Sequence, residues 1–237
     1  YVLFGRDEGT PGSPEISLSR TQIDFGIVRV NETSIDQPVT IENSGSADLS
    51  LDLLSISGAH LADFALSNDT CSHQVLAPGT TCSIDLVLTP SVVGERTAQV
   101  DVPSNASAQP AVIGLSGTGA LPELSITPNA IGFGDVSVGQ SSAPGTVTIE
   151  NISPVPLTME MLRIIGMDAG DFEIGNDSCS TREIAPSGTC TLDVTFTPSA
   201  ESPRTAQLEV NSDAPGSPDL VALSGNYEVI FKDGFED

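Results

Sequence analysis

The chain has no tryptophan, two tyrosines, two histidines and a single lysine, Lys232, in 237 residues. Each shortage excludes something. Without Trp the core has to be built from Ile, Leu, Val and a few of the eight Phe, and the buried Trp of antibody-type sandwiches is missing. With only Tyr1 and Tyr227, an aromatic platform on which a sugar could stack is lacking. No run of 18 apolar residues occurs, so nothing reads as a membrane-spanning helix. Bases number 8 against 32 acids, a formal charge of −24. Such a field repels nucleic acid and anionic headgroups; it reads either as a means of solubility and of suppressing self-association, or as an attraction for divalent cations or a basic partner. Tyr1 opens on a β-like stretch and reads as the start of a processed or excised chain rather than as a signal peptide.

What is present is Val, Ile and Thr in quantity, with 22 Gly and 17 Pro to supply turns. That is an all-β composition. Charged residues are only 17%, so the solvent faces must rely on Ser, Thr, Asn and Gly.

The chain also repeats itself. Phe25-Gly26 recurs as Phe133-Gly134, Val39-Thr-Ile-Glu-Asn43 as Val147-Thr-Ile-Glu-Asn151, and Asp63-Phe64 as Asp171-Phe172. Arg96-Thr-Ala-Gln99 recurs as Arg204-Thr-Ala-Gln207, and Leu115-Ser-Gly117 as Leu223-Ser-Gly225. The offset is always 108 residues, and between Glu15 and Gly117 about two positions in five match without a gap. A fixed period of this length means two tandem copies of one domain. The sequence therefore divides into a strand-like segment and linker at 1–14, sandwiches at 15–118 and 119–226, and a strand-like tail at 227–237. The junction near Thr118–Leu121 is short and followed by Pro122, which predicts a semi-rigid rod.

In the first copy, strands are predicted at Glu15–Leu18, Gln22–Gly26, Val39–Asn43, Leu49–Ser57, Phe64–Leu66, Cys82–Leu88, Arg96–Val102 and Val112–Ser116. The apolar–polar alternation of Cys82–Leu88 and Arg96–Val102 suits half-buried strands. The fold class is all-β: two tandem immunoglobulin-like β-sandwiches, each of about seven or eight strands with one local disulfide.

Cys71 and Cys82 enclose ten residues, and Cys179 and Cys190 repeat that spacing. Zinc sites favour closer pairs completed by His, and redox motifs place two residues between the cysteines. The reading that remains is one local disulfide per domain, which implies an oxidising compartment.

Catalytic chemistry finds little support. His60 and His73 have Asp168 and Thr181 as their counterparts, so the repeat does not keep them, and no Gly-x-Ser-x-Gly elbow accompanies either. Both read as surface-loop histidines. Paired carboxylates for acid–base work are available only as Asp168 with Asp171, and as Asp233, Glu236 and Asp237, all in stretches that read as exposed. Asp168, Asp171 and Asp177 are a weak calcium candidate, without the calcium-loop signature and with His60 at one counterpart position. No cofactor is expected, calcium being the one cation with any motif behind it. Asn31, Asn68, Asn105, Asn151 and Asn176 each open an Asn-x-Ser/Thr triplet, which matters only in a eukaryotic secretory route.

The assembled motifs resemble a known family. Each copy runs Ile-x-Phe-Gly-x-Val-x-Val, at Ile23–Val30 and Ile131–Val138, then Val-Thr-Ile-Glu-Asn. Asp-Phe with a Cys-bearing loop follows, then Ala-Pro-x-x-Thr-Cys-x-x-Asp, Thr-Pro and a closing Leu-Ser-Gly. This is similar to the Hydin-type, abnormal-spindle-like immunoglobulin fold, in its bacterial branch called choice-of-anchor D. The resemblance covers nearly the whole chain, twice. It implies a sandwich related to the sperm-protein and pilus-chaperone folds, repeated in exported surface proteins, with no catalytic residues to carry over. The ending Ile230-Phe-Lys-Asp-Gly-Phe-Glu236 is similar to a tail found on exported proteobacterial proteins, implying a secreted or cell-surface protein of a Gram-negative bacterium.

The two ends hold what the repeat does not share. Tyr1, Val2, Leu3 and Phe4 stand where a preceding domain's last strand would lie, and Tyr227, Val229, Ile230 and Phe231 form a second apolar strand-like segment. Such segments are costly to leave in water. They fold back, belong to a longer array, or add to a neighbouring subunit and make a head-to-tail filament. The expected function is a non-catalytic extracellular structural or adhesive protein that self-associates; the alternative is a protein- or carbohydrate-binding accessory module of a larger secreted protein or enzyme.

Overall fold

The computed structural model describes residues 12–107 and 111–228; segment Tyr1–Phe4 and residues 229–237 lie outside that range. The chain divides into two compact units between Ala120 and Leu121.

The described residues of the first unit form ten strands: β1 (Ile16–Leu18), β2 (Gln22–Arg29), β3 (Gln37–Asn43), β4 (Leu49–Ser50), β5 (Ser55–Ser57), β6 (Phe64–Ser67), β7 (Val75–Leu76), β8 (Thr81–Leu88), β9 (Gly94–Val102) and β10 (Ala111–Ala120). Two four-stranded sheets, ordered β1-β3-β8-β6 and β2-β10-β9-β5, make the sandwich, and β4 pairs β7 beside them. The opening segment changes sheets between Leu18 and Gln22: β1 runs antiparallel to β3, whereas β2 runs parallel to β10. The parallel register shifts between Ser116 and Thr118, opposite Gly26. Gly26 has φ +67° and donates its N–H to Asp24 Oδ1 at 2.9 Å, a left-handed bulge that suits glycine.

The second unit repeats this plan with β11 (Leu124–Thr127), β12 (Ala130–Val136), β13 (Gly145–Asn151), β14 (Leu157–Thr158), β15 (Arg163–Ile165), β16 (Phe172–Gly175), β17 (Glu183–Ile184), β18 (Thr189–Phe196), β19 (Arg204–Val210) and β20 (Asp219–Tyr227). Its sheets are ordered β11-β13-β18-β16 and β12-β20-β19-β15.

Period-two burial builds each core. Cys82, Ile84, Leu86 and Leu88 point inward along β8, and Cys190, Leu192, Val194 and Phe196 do so along β18. The ring of Phe196 packs with Phe172 and Phe133 at centroid separations of 4.9 and 5.9 Å; the first unit has Leu88 at that place and keeps only the Phe25–Phe64 pair, at 5.8 Å. A Cβ at Gly225 would run into the Phe196 ring, so glycine is what admits it.

Three expectations need correction. Leu49–Ser57 is not one strand: β4 and β5 join different sheets, because Leu51 and Leu54 both turn into the core. β10 continues through Gly117 and Gly119 to Ala120, because its pairing with β9 and β2 runs on, and glycine at both positions avoids Leu88 and the Val92 carbonyl. Tyr227 does not begin a segment beyond the second sandwich. It closes β20, in parallel register with Val136, and Glu228 N then donates to the Val136 carbonyl at 2.9 Å.

Candidate functional site

The cysteines join as Cys71–Cys82 and Cys179–Cys190, one bridge per unit, with Cα atoms 5.2 Å apart in each. An aspartate organises each bridge. Asp69 Oδ1 accepts the N–H groups of Cys71 and Ser72 at 2.8 and 3.0 Å, and Asp177 Oδ1 those of Cys179 and Ser180 at 2.7 and 3.0 Å. Burial pushes both carboxyls up, but the serine hydroxyl and backbone bonds outweigh it and leave both below the usual range.

This disperses the calcium candidates. Asp177 serves the disulfide loop, whereas Asp168 and Asp171 both turn onto one guanidinium: Arg204 Nη1 donates to Asp168 Oδ1 at 2.8 Å, and its Nε lies 3.0 Å from Asp171 Oδ2. Among the described residues no group of three His, Cys, Asp or Glu is placed to hold a metal. Nor are Asp168 and Asp171 free loop carboxylates. Asp171 is buried, and Asp168 is held below the carboxylate range by the N–H of Thr205 and then by Arg204. Asp233, Glu236 and Asp237 lie outside the described residues.

In the first unit Arg96 Nε is 3.5 Å from Asp63, and its Nη2 donates to the Val92 and Val93 carbonyls at 3.1 and 2.9 Å. His60 stands where Asp168 does and takes over one of its bonds, its Nδ1 accepting from Thr97 N at 3.0 Å. It is thus a half-buried structural group rather than a surface-loop histidine. The Asp63–Arg96 and Asp171–Arg204 pairs went unnoticed in the sequence, although both halves belong to motifs the repeat retains. Asn43 and Asn151 are likewise structural: each is fully buried and donates both amide hydrogens to carbonyls, Ala47 and Leu76 in one case, Val155 and Ile184 in the other. Burial removes Asn151 as a glycosylation acceptor.

Open sheet edges are the remaining candidate. Among the described strands of the second unit β15 pairs only with β19 and ends its sheet. Arg163 on that strand makes a bidentate bond to Glu209, at 2.8 and 3.1 Å, and this holds the Glu209 carboxyl below its ordinary range. Two shallow grooves flank the strand, one of about 250 Å³ beside Glu160, Met161 and Asn211, the other of about 420 Å³ beside Met167, Thr205 and Ala222. The corresponding face of the first unit has a groove of about 240 Å³ lined by Gln22, Asp24, Gly114 and Ser116.

Residues 14–118 match the family model of the HYDIN/CFA65/VesB-like Ig-like domain, and residues 118–220 match ASH, the abnormal spindle-like microcephaly-associated, ASPM-SPD-2-Hydin domain. The chain carries two Hydin/ASH-type immunoglobulin-like domains in tandem. Domains of these families are typically non-catalytic modules. Among solved structures, the tandem is similar to a protein of unknown function from Porphyromonas gingivalis W83, at 14% identity and TM-score 0.38, covering 89% of this chain and 99% of that one. It is also similar to the ASH/PapD-like domain 7 of human CEP192, at 20% identity and TM-score 0.35, over 46% of this chain and 87% of that one. The secreted serine protease VesC of Vibrio cholerae matches at 14% identity and TM-score 0.36, over 79% of this chain and 47% of that one. No curated protein matches the Hydin/ASH tandem by sequence. Among the described residues no helix is long and apolar enough to cross a membrane.

Proposed function

We propose that the chain is a non-catalytic extracellular structural protein of a Gram-negative cell surface, and that it self-associates by passing an apolar terminal segment to a sheet edge of a neighbouring copy. The observation that carries the reading is a pairing of supply and demand. Each sandwich has sheets that end on short strands, β5 and β15, while Tyr1–Phe4 and Val229–Phe231 are apolar segments outside the strands described. Strand addition satisfies both, because the edge gains backbone bonds and the segment leaves water. One disulfide in each domain supports an oxidising compartment. The carboxylates with motif-level promise are tied to Arg204 or to the disulfide loop, which supports a structural rather than a catalytic role.

The test is light scattering and electron microscopy of three proteins: the full chain, a chain lacking Tyr1–Phe4, and a chain lacking Val229–Asp237. The last cut spares Tyr227 and Glu228, which β12 holds. Assembly lost in either truncation supports the reading; assembly unchanged in both, or a monomer throughout, overturns it.

A second reading is an accessory module of a larger secreted enzyme. It is favoured by the family matching residues 14–118, whose description names VesB. The intact mass of the native polypeptide decides it, since a catalytic domain on the same chain would raise the total well above the 24.4 kDa of this sequence.

A further inference from the structure

We propose that β15, the open edge of the second sandwich, accepts Tyr1–Phe4 of a second copy of the chain. The inference rests on the self-association reading above and names its donor and acceptor.

The acceptor differs from its counterpart edge, β5, in the first sandwich. Unused sheet edges are usually blunted by charge, proline or a covering loop. Here the one charge on the strand, Arg163, is drawn onto Glu209 of the adjacent strand. Two of the chain's three methionines bracket the strand and stand in water, Met161 at 64% exposure and Met167 at 99%. Flexible, polarisable side chains of this kind can close over an incoming apolar residue. The first sandwich repeats the edge without the bracket: Leu53 and Ala59 occupy the methionine positions, and Ser55 and Ser57 flank Ile56 where the second has Arg163 and Ile165.

Charge selects the donor. Tyr1-Val-Leu-Phe4 is followed by Gly5 and Arg6, with no acid before Asp7, whereas Val229–Phe231 leads into Lys232, Asp233, Glu236 and Asp237. Glu160 lines the groove beside Met161, and the chain carries a net charge of −24. Taken through Arg6, the first segment is free of acid, whereas the second runs between Glu228 and Asp233, so the first approaches this acidic chain and the Glu160 groove with less repulsion. Residues 1–11 can span up to roughly 36 Å when extended, enough to leave their own domain.

The test mixes two full-length chains, Leu3→Cys and Met167→Cys, under mild oxidation and measures disulfide-linked heterodimer on non-reducing gels. Mass spectrometry verifies that the native bridges are intact. Ala59→Cys, the same place on the first sandwich, replaces Met167→Cys in the comparison. The expected result is heterodimer with Met167→Cys and only background with Ala59→Cys. In addition, the double variant Met161→Asp/Met167→Asp loses assembly by light scattering while keeping its circular dichroism. Equal cross-linking to both positions, or assembly that survives the double variant, overturns β15 as acceptor and leaves self-association standing. Assembly that needs Val229–Phe231 instead of Tyr1–Phe4 overturns the donor. A chain monomeric in every form overturns the reading on which both depend.

Discussion

The two sandwiches share a plan and divide sharply in where they differ. Strand order, the disulfide with its capping aspartate, the buried asparagine after Val-Thr-Ile-Glu, and the Asp–Arg pair beside the central strand are the same at an offset of 108 residues. These are positions where a change would leave a cavity, an unpaired buried charge or an unclosed loop. The differences gather elsewhere. Phe196 replaces Leu88, Asp168 replaces His60, and the edge strand of the second sandwich gains Arg163, Ile165 and Met167 over Ser55, Ser57 and Ala59. What the copies hold in common is therefore the folding apparatus, and what separates them is packing detail, acid response and edge chemistry.

The largest test of the comparison is in the cores. Phe196→Ala empties a three-ring cluster and should cost about 4 kcal/mol, against about 3 kcal/mol for Leu88→Ala in the first sandwich. Hydrogen exchange read separately on each domain measures both, and equal losses would mean that the phenyl cluster adds nothing over leucine. The ion pairs come next. Arg96→Met strands the buried Asp63 carboxylate and should cost about 3 kcal/mol. Arg204→Met should cost more, because Asp168 and Asp171 are then left facing each other; denaturant midpoints provide the check. Replacing either disulfide by two alanines should remove about 3 kcal/mol, and the two losses should match because the loops have equal length.

Acid should separate the domains in a predictable direction. In the second, Asp168, Asp177, Asp193 and Glu209 sit below their ordinary range; in the first, Asp69 does. Thr205 N–H and Arg204 hold down Asp168, Asn176 and Thr146 hold down Asp193, and Arg163 holds down Glu209. A carboxyl with a depressed folded-state pKa contributes stability that is present above the unfolded value of about 4 and is lost as pH falls below it. Unfolding followed from pH 6 to pH 3 should thus show the second sandwich losing more stability than the first. His60→Asp, which gives the first sandwich the counterpart of Asp168, should narrow the gap. The smallest effect is chemical: dilute peroxide should oxidise Met161 and Met167 and spare the buried Met159, with no change in circular dichroism.

Much of this was legible in the sequence because the chain states it twice. The repeat exposes the tandem, the alternation in Cys82–Leu88 marks a half-buried strand, and the ten-residue cysteine spacing points to a local bridge. Long-range pairings escaped. Nothing local says that Leu51 and Leu54 both turn inward and split one apolar run between two pairings. Tyr227 looked surplus because its partner, Val136, lies 91 residues away beyond a glycine bulge. The carboxylates of Asp168 and Asp171 read as a cation site since Arg204, which neutralises them, sits on a strand more than thirty residues downstream. The methionine bracket was invisible for a related reason: which residues flank an unpaired strand is a property of the sheet order, not of the segment.

The most direct test of the central claim is electron microscopy of the full chain beside the chain lacking Tyr1–Phe4, at matched concentration. The account predicts linear assemblies in the first sample and dispersed particles in the second. Identical assemblies in both, or dispersed particles in both, would contradict it.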